Sequence, residues 1–397
     1  MKRSGKSSAV GLILLAAAAS CAGPLATGRA GAVEQGAPPA LGGRIVPQFV
    51  VFASDDNGYS GLPGSGSKGG LDYVTRLFAS RRNPPGKGDA RTFDGSPLHY
   101  SFFVNSYYIT PEGKENPVYV KRAWRAAVEA GHEIGVHTHS HPHGRSFTVD
   151  EWEAEIDKCI DLLTRPWDPE ETPEHPNPAA GLGVSKADLW GFRAPFIEPS
   201  ENALTAAERR GFVYDSSIEE GVGRGPGGDF PWPYLLDWGR PKNRPPIGRH
   251  PGFWEVPLDN FVVPPDEACP RYGIPPGFRE RMKKVNGYFD TTNGEITGMD
   301  WNLWNEFGMT PSEFLATLKY SLDRHLEGNR CPMTVGIHSE LYTEHEGSGR
   351  DSGPGVEERR AALEAFFAYA LEKPDVRLVS TRELLEWLKE PVPLNAS

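Results

Sequence analysis

Four imidazoles alternate along Gly135-Val-His137-Thr-His139-Ser-His141-Pro-His143, and an Asp55-Asp56 pair lies upstream, in a chain of 397 residues with only 11 histidines. Two histidines and one carboxylate are a common ligand set for a catalytic zinc, which keeps a further position open for water. The grouping points to a metal-dependent hydrolase, with a His-rich surface loop as the plain alternative. Adjacent side chains on a strand face opposite ways, so Asp55 and Asp56 are expected to divide the work, one binding metal and the other acting as a base. Asp-Asp-Asn-Gly is equally good turn chemistry, so the pair alone decides nothing. His137 and His141 are four residues apart, but Pro142 argues for a strand-to-loop turn over a helical pair. His139 and His143 are as readily solvated as functional.

Elements that could position these residues alternate along the chain. Apolar runs rich in β-branched and aromatic residues predict strands over 47–53, 100–105, 132–137, 189–193, 212–215, 253–257, 334–338 and 376–379. Helical spacing predicts helices over 71–79, 118–130, 148–163, 202–210, 311–327, 356–371 and 381–388. Such alternation implies a parallel sheet or barrel. Asp55-Asp56, His137, Arg193, Asp215 and His338 all fall at the C-terminal ends of these strands, the active-site edge of a β/α barrel. The fold expected is therefore an α/β distorted barrel with long irregular loops over that face. Prolines crowd the segments 169–178, 226–251 and 264–276, which marks those loops.

The N-terminus has a basic start (Lys2, Arg3, Lys6) and an apolar run from Ala9 to Ala19, followed by Ser20-Cys21. That pattern predicts an export signal over 1–21, read as lipoprotein-like with a lipid anchor at Cys21 as the only membrane attachment, an ordinary cut after Ala32 being the alternative. Residues 22–42 read as a flexible tether and 43–397 as one catalytic domain. The protein is expected outside the cytoplasm, on the membrane or cell surface, or secreted. Cys159, Cys269 and Cys331 remain beyond the signal, so at most one disulfide is expected. A net charge of -11 without basic runs makes nucleic acid a poor partner.

The series Asp55-Asp56, His137-Thr138-x-x-His141, Arg193-x-Pro195-Phe196, Asp215-x-Ser217 followed by Asp237-Trp238, and Ile337-His338 resembles, in order, the five motifs of the NodB-type polysaccharide deacetylases, carbohydrate esterase family 4. Further landmarks, among them Trp232-Pro-Tyr-Leu-Leu-Asp237 and Pro251-Gly-Phe-Trp-Glu-Val-Pro257, resemble chitin deacetylases of the animal type. The resemblance implies that Asp56, His137 and His141 hold a divalent metal, zinc or another such as cobalt, and that Asp55 is the general base. It implies His338 as general acid, the backbone N–H of Phe196 as the oxyanion donor, Arg193 as counter-charge to Asp55, and Asp237 as the group orienting His338. Trp232 and Trp238 would wall the cleft, and Trp301 and Trp304 would lie in a loop over it, all four as substrate contacts. Thr138 would steady the ligand turn.

Taken together, these roles imply a metal-dependent hydrolase removing N-acetyl groups from an N-acetylglucosamine-containing polysaccharide, chitin-like first and peptidoglycan second. The alternatives are an O-acetyl polysaccharide esterase and a catalytically silent glycan-binding protein of the same fold. The first motif departs from the family's Thr-Phe-Asp-Asp core: Ser54 stands where an aromatic is usual, and looser packing behind the base is the expected consequence.

Overall fold

The computed structural model describes residues 45–394 apart from 226–227, 241 and 347–352. The signal and tether expected over 1–42 lie outside the described residues. Among those described, no helix is long and apolar enough to cross a membrane.

β1 (Gln48–Asp55) is buried at every position, as a strand covered on both faces must be. Its side chains alternate between two cores. Val50 and Phe52 join the larger cluster, shared with the surrounding helices, while Phe49, Val51 and Ala53 join a second with Phe103, Tyr214, Trp232 and Trp387. That period of two decides which face each polar residue at the strand's end will join.

The remaining strands are β2 (Ser101–Val104), β3 (Glu133–Val136), β4 (Gly191–Phe192), β5 (Tyr214–Asp215), β6 (Glu219–Glu220), β7 (Tyr234–Leu235), β8 (Trp254–Glu255), β9 (Leu258–Asp259), β10 (Phe261–Val262), β11 (Glu295–Ile296), β12 (Met333–His338) and β13 (Val376–Leu378). The main sheet runs β12-β1-β2-β3-β4-β5-β8-β7, parallel except for the last pair. β13 pairs with the start of β1 on the edge that β2 takes further along. Among the described residues, no strand closes the curl from β7 back to β12. The free edge of β12 is covered instead by the Asp259 carboxylate on the N–H of Thr334 at 3.0 Å and by a parallel bridge from Met299 to Gly336. Gly336 is required there, since a Cβ would lie 1.9 Å from the Met299 sulfur.

Eight α-helices accompany the sheet among the described residues: α1 (Gly70–Ala79), α2 (Pro117–Glu129), α3 (Val149–Thr164), α4 (Glu201–Arg209), α5 (Phe278–Val285), α6 (Pro311–Glu327), α7 (Val356–Leu371) and α8 (Thr381–Lys389). Reciprocal capping boxes start α3 (Thr148 with Glu151), α6 (Thr310 with Glu313) and α8 (Ser380 with Glu383), which is why those starts are legible from sequence. The segment expected as a loop carrying Trp301 and Trp304 over the cleft holds a π-helical turn, Asn302–Glu306, and is preceded by α5 and β11. Cys159, Cys269 and Cys331 are all free and buried.

Candidate metal and catalytic site

The ends of β1, β3, β4 and β12 converge on one cleft of about 1470 Å³. By strand parity Asp55 turns to the same side as Phe49, Val51 and Ala53. There it meets Arg193, just past β4, whose Nη1 donates to Asp55 Oδ1 at 2.7 Å. The guanidinium is 1% exposed, lies 4.4 Å over the Phe103 ring, and donates to the Ser216 carbonyl and hydroxyl at 2.8 Å each. A buried carboxylate therefore has a buried, immobilised counter-charge.

The chain then turns sharply. Asp56 and Asn57 adopt left-handed φ of 67° and 63°, which throws Asp56 away from Asp55. Ser54 and Asn57 make that turn. Ser54 Oγ donates to Asn57 Oδ1 at 2.6 Å, and Asn57 Nδ2 donates to the carbonyls of Ser54 (2.9 Å) and Phe103 (3.0 Å). The expected looseness behind the base is thus corrected: fully buried Ser54 replaces aromatic bulk with a hydrogen-bonded clamp.

His137 follows β3. Its Nδ1 donates to the Arg193 carbonyl at 2.7 Å, which leaves Nε2 facing Asp56 Oδ1 at 3.9 Å. His141 Nε2 lies 3.5 Å from the same oxygen. The loop between them is a turn and not a helix, with left-handed φ at Thr138 (71°) and His141 (55°), and Thr138 Oγ1 accepts from the His141 N–H at 3.2 Å. Ligand atoms of Asp56, His137 and His141 all lie within 4.8 Å of one another, and Asp56 Oδ1 is buried with no hydrogen-bond partner. A buried carboxylate oxygen facing two imidazole nitrogens fits a divalent cation. Burial first, then the neighbouring His141, pushes His137 down to about 3, so the ring is neutral, the form that ligates metal. His139 bonds Ser106 and His143 stacks on Phe196; neither joins the cluster.

His338 ends β12 directly opposite Asp55 in register. Its orienting partner is not Asp237. Asp300 Oδ1 pairs with His338 Nδ1 at 2.8 Å and Oδ2 accepts the His338 N–H at 3.1 Å. Asp237 instead accepts the N–H of Gly252 at 2.8 Å on a separate turn, away from the residues lining the cleft. The chain has two Asp-Trp dipeptides, Asp237-Trp238 and Asp300-Trp301, and spacing cannot choose between them. The Met299–Gly336 bridge does, because it lays Asp300 beside His338. Burial works against charge on His338, but the hydrogen bond and charge of Asp300, with Asp56 and Asp55 behind, raise its pKa to about 9.

Phe196 sits in a left-handed conformation (φ 59°) on a turn held by Ser217 Oγ, which accepts the Ala194 N–H and donates to Asp215. Asp215 is thus a buried clamp beneath that turn. Of the four tryptophans expected at substrate, only Trp301 lines the cleft, 48% exposed. Trp232 is buried against Trp387 and Trp304 against Phe314, both core packing. Trp238 is exposed beneath Arg249, outside the cleft.

Fold and site together define a curled α/β barrel with a candidate metal centre flanked by an Asp–Arg pair and a His–Asp pair. The family model described as polysaccharide deacetylase matches residues 91–181. Chitin deacetylase 1 of Bombyx mori is 21% identical over 364 residues, covering 89% of this chain and 53% of the relative, so the chain spans about half the length of that curated protein. Two solved structures provisionally described as polysaccharide deacetylases are also similar. That from Pseudomonas aeruginosa PAO1 has a TM-score of 0.48 at 15% identity, covering 87% of this chain and 92% of the other. That from Mycobacterium smegmatis has a TM-score of 0.46 at 17% identity, covering 88% and 93%. The chain is thus similar to polysaccharide deacetylases, by the family model over residues 91–181 and by the chitin deacetylase over most of its length.

Proposed function

We propose that the protein is a metal-dependent hydrolase that removes N-acetyl groups from an N-acetylglucosamine-containing polysaccharide, with a chitin-like polymer as the leading substrate. The observation that carries this reading is the convergence of Asp56, His137 and His141 within 4.8 Å, in a cleft that Asp55 and His338 also line. Held by those three residues, a zinc or cobalt ion would polarise an acetamide carbonyl and acidify water. Asp55, fixed by Arg193, accepts the proton of the attacking water. The backbone N–H of Phe196 donates to the oxygen that becomes negative at the tetrahedral centre, where such a donor contributes most. His338, with Nδ1 held by Asp300, presents its other nitrogen and gives a proton to the departing amine. Acetate and a free amine leave. Trp301 offers an exposed aromatic face at the cleft for a sugar ring.

Acetate release from N-acetylglucosamine oligomers by chelator-stripped and zinc-reloaded protein tests the reading. Release that returns only with metal supports it; confirmed zinc uptake without release turns it toward an ester substrate or a silent glycan-binding protein. Export with a lipid at Cys21 belongs to the same reading, and the mass of the mature N-terminus distinguishes it from ordinary cleavage.

A further inference from the structure

One wall of the cleft is the start of α7, where Gly353, Gly355 and Val356 line it. Gly355 is the cap residue of that helix, and its N–H donates to the Glu358 carboxylate at 2.8 Å. Arg359, one turn in, lines the same cleft while only 6% exposed. Its Nε is buried without an acceptor, and among the described residues no carboxylate pairs with it. The nearest aromatic face is that of Trp304, 5.8 Å away.

Burial of a guanidinium without a counter-charge is unfavourable. The acids nearest in sequence are engaged elsewhere: Glu357 pairs with Arg360, and Glu358 accepts the Gly355 N–H at 2.8 Å. Lys68, exposed on the same cleft, also pairs with no carboxylate among the described residues.

We propose that this wall is an anion subsite, in which Arg359 and Lys68 take a carboxylate carried by the acetylated polymer. A guanidinium fork fits a carboxylate with two parallel hydrogen bonds. On a glycan such a group is a uronate or a lactyl ether. The inference rests on the deacetylase reading for the identity of the polymer, and on Arg359 for the charge.

The test is equilibrium binding to the full chain, read without turnover. Three tetrasaccharides are compared: neutral N-acetylglucosamine, one alternating with glucuronate, and one alternating with N-acetylmuramate. A carboxylated probe is expected to bind roughly tenfold tighter than the neutral one, with the ratio shrinking as salt rises. In Arg359→Gln the ratio should collapse toward one. If that variant fails to fold by circular dichroism, Lys68→Glu carries the test and should lower the same ratio. Whichever charged probe is preferred identifies the source. Equal binding of all three probes, or a preference untouched by these substitutions, overturns the subsite. A preserved preference with no acetate release would remove the deacetylase reading and leave the subsite standing.

Discussion

His338 has the ordinary imidazole value displaced upward, to about 9, because Asp300 both accepts its Nδ1 proton and supplies charge against the opposing effect of burial. The ring is protonated below that pH and loses its proton as pH rises through it, so the proton donor fades on the alkaline side. Asp300→Asn is expected to move the alkaline limb of the rate profile downward by about one pH unit or more, lowering kcat with little change in KM. Asp237→Asn should leave that limb where it is. Asp55→Asn should cut acetate release by roughly two to four orders of magnitude while zinc content stays at the wild-type level. Asp56→Ala should instead lose the zinc itself, as read by elemental analysis.

The turn after β1 is the element on which both aspartates depend. Its left-handed residues are held by hydrogen bonds to the Asn57 side chain, all buried. Asn57→Ala leaves the Ser54 and Phe103 carbonyls and the Ser54 hydroxyl short of a partner. It is expected to cost about 2–3 kcal/mol in urea unfolding. Ser54→Ala removes one of those bonds, and about 1 kcal/mol is expected. A smaller loss for Asn57→Ala than for Ser54→Ala would mean that the turn is held by something else. The same dependence on one residue holds at the β12 edge, where Gly336 admits Met299 and so brings Asp300 to the site.

Across the whole molecule, acid stability is governed in part by histidines buried neutral, far from the cleft. His132 is pushed down to about 3, mainly by burial with His99 adding, and His325 to about 4, again mainly by burial. Both lie below the ordinary value, so between those values and about 6.5 the unfolded chain binds protons that the folded chain does not. Stability present near pH 7 is therefore lost as pH falls through that window, by of order 1 kcal/mol per unit for each group. Urea unfolding at pH 7 and pH 5 checks this, and His132→Gln should flatten the difference. A difference unchanged in that variant would assign the acid sensitivity elsewhere.

Period and spacing by themselves determine much of this protein. Helices α3, α6 and α8 are legible because capping boxes are local, and β1 because a strand covered on both faces reads as one apolar run. Asp56, His137 and His141 are legible because ordered motifs place them at strand ends. The two-residue strands β6, β7 and β9 are not, since none of them sits in an unbroken apolar run of ordinary strand length and each exists only through its neighbour. Nor can sequence choose Asp300 over Asp237, keep Trp301 at the cleft while Trp304 and Trp232 go to the core, or reveal that Ser54 clamps Asn57. Those outcomes depend on which residues meet across the sheet, and a contact between positions far apart in the chain is decided by tertiary packing, not by the residue types on either side.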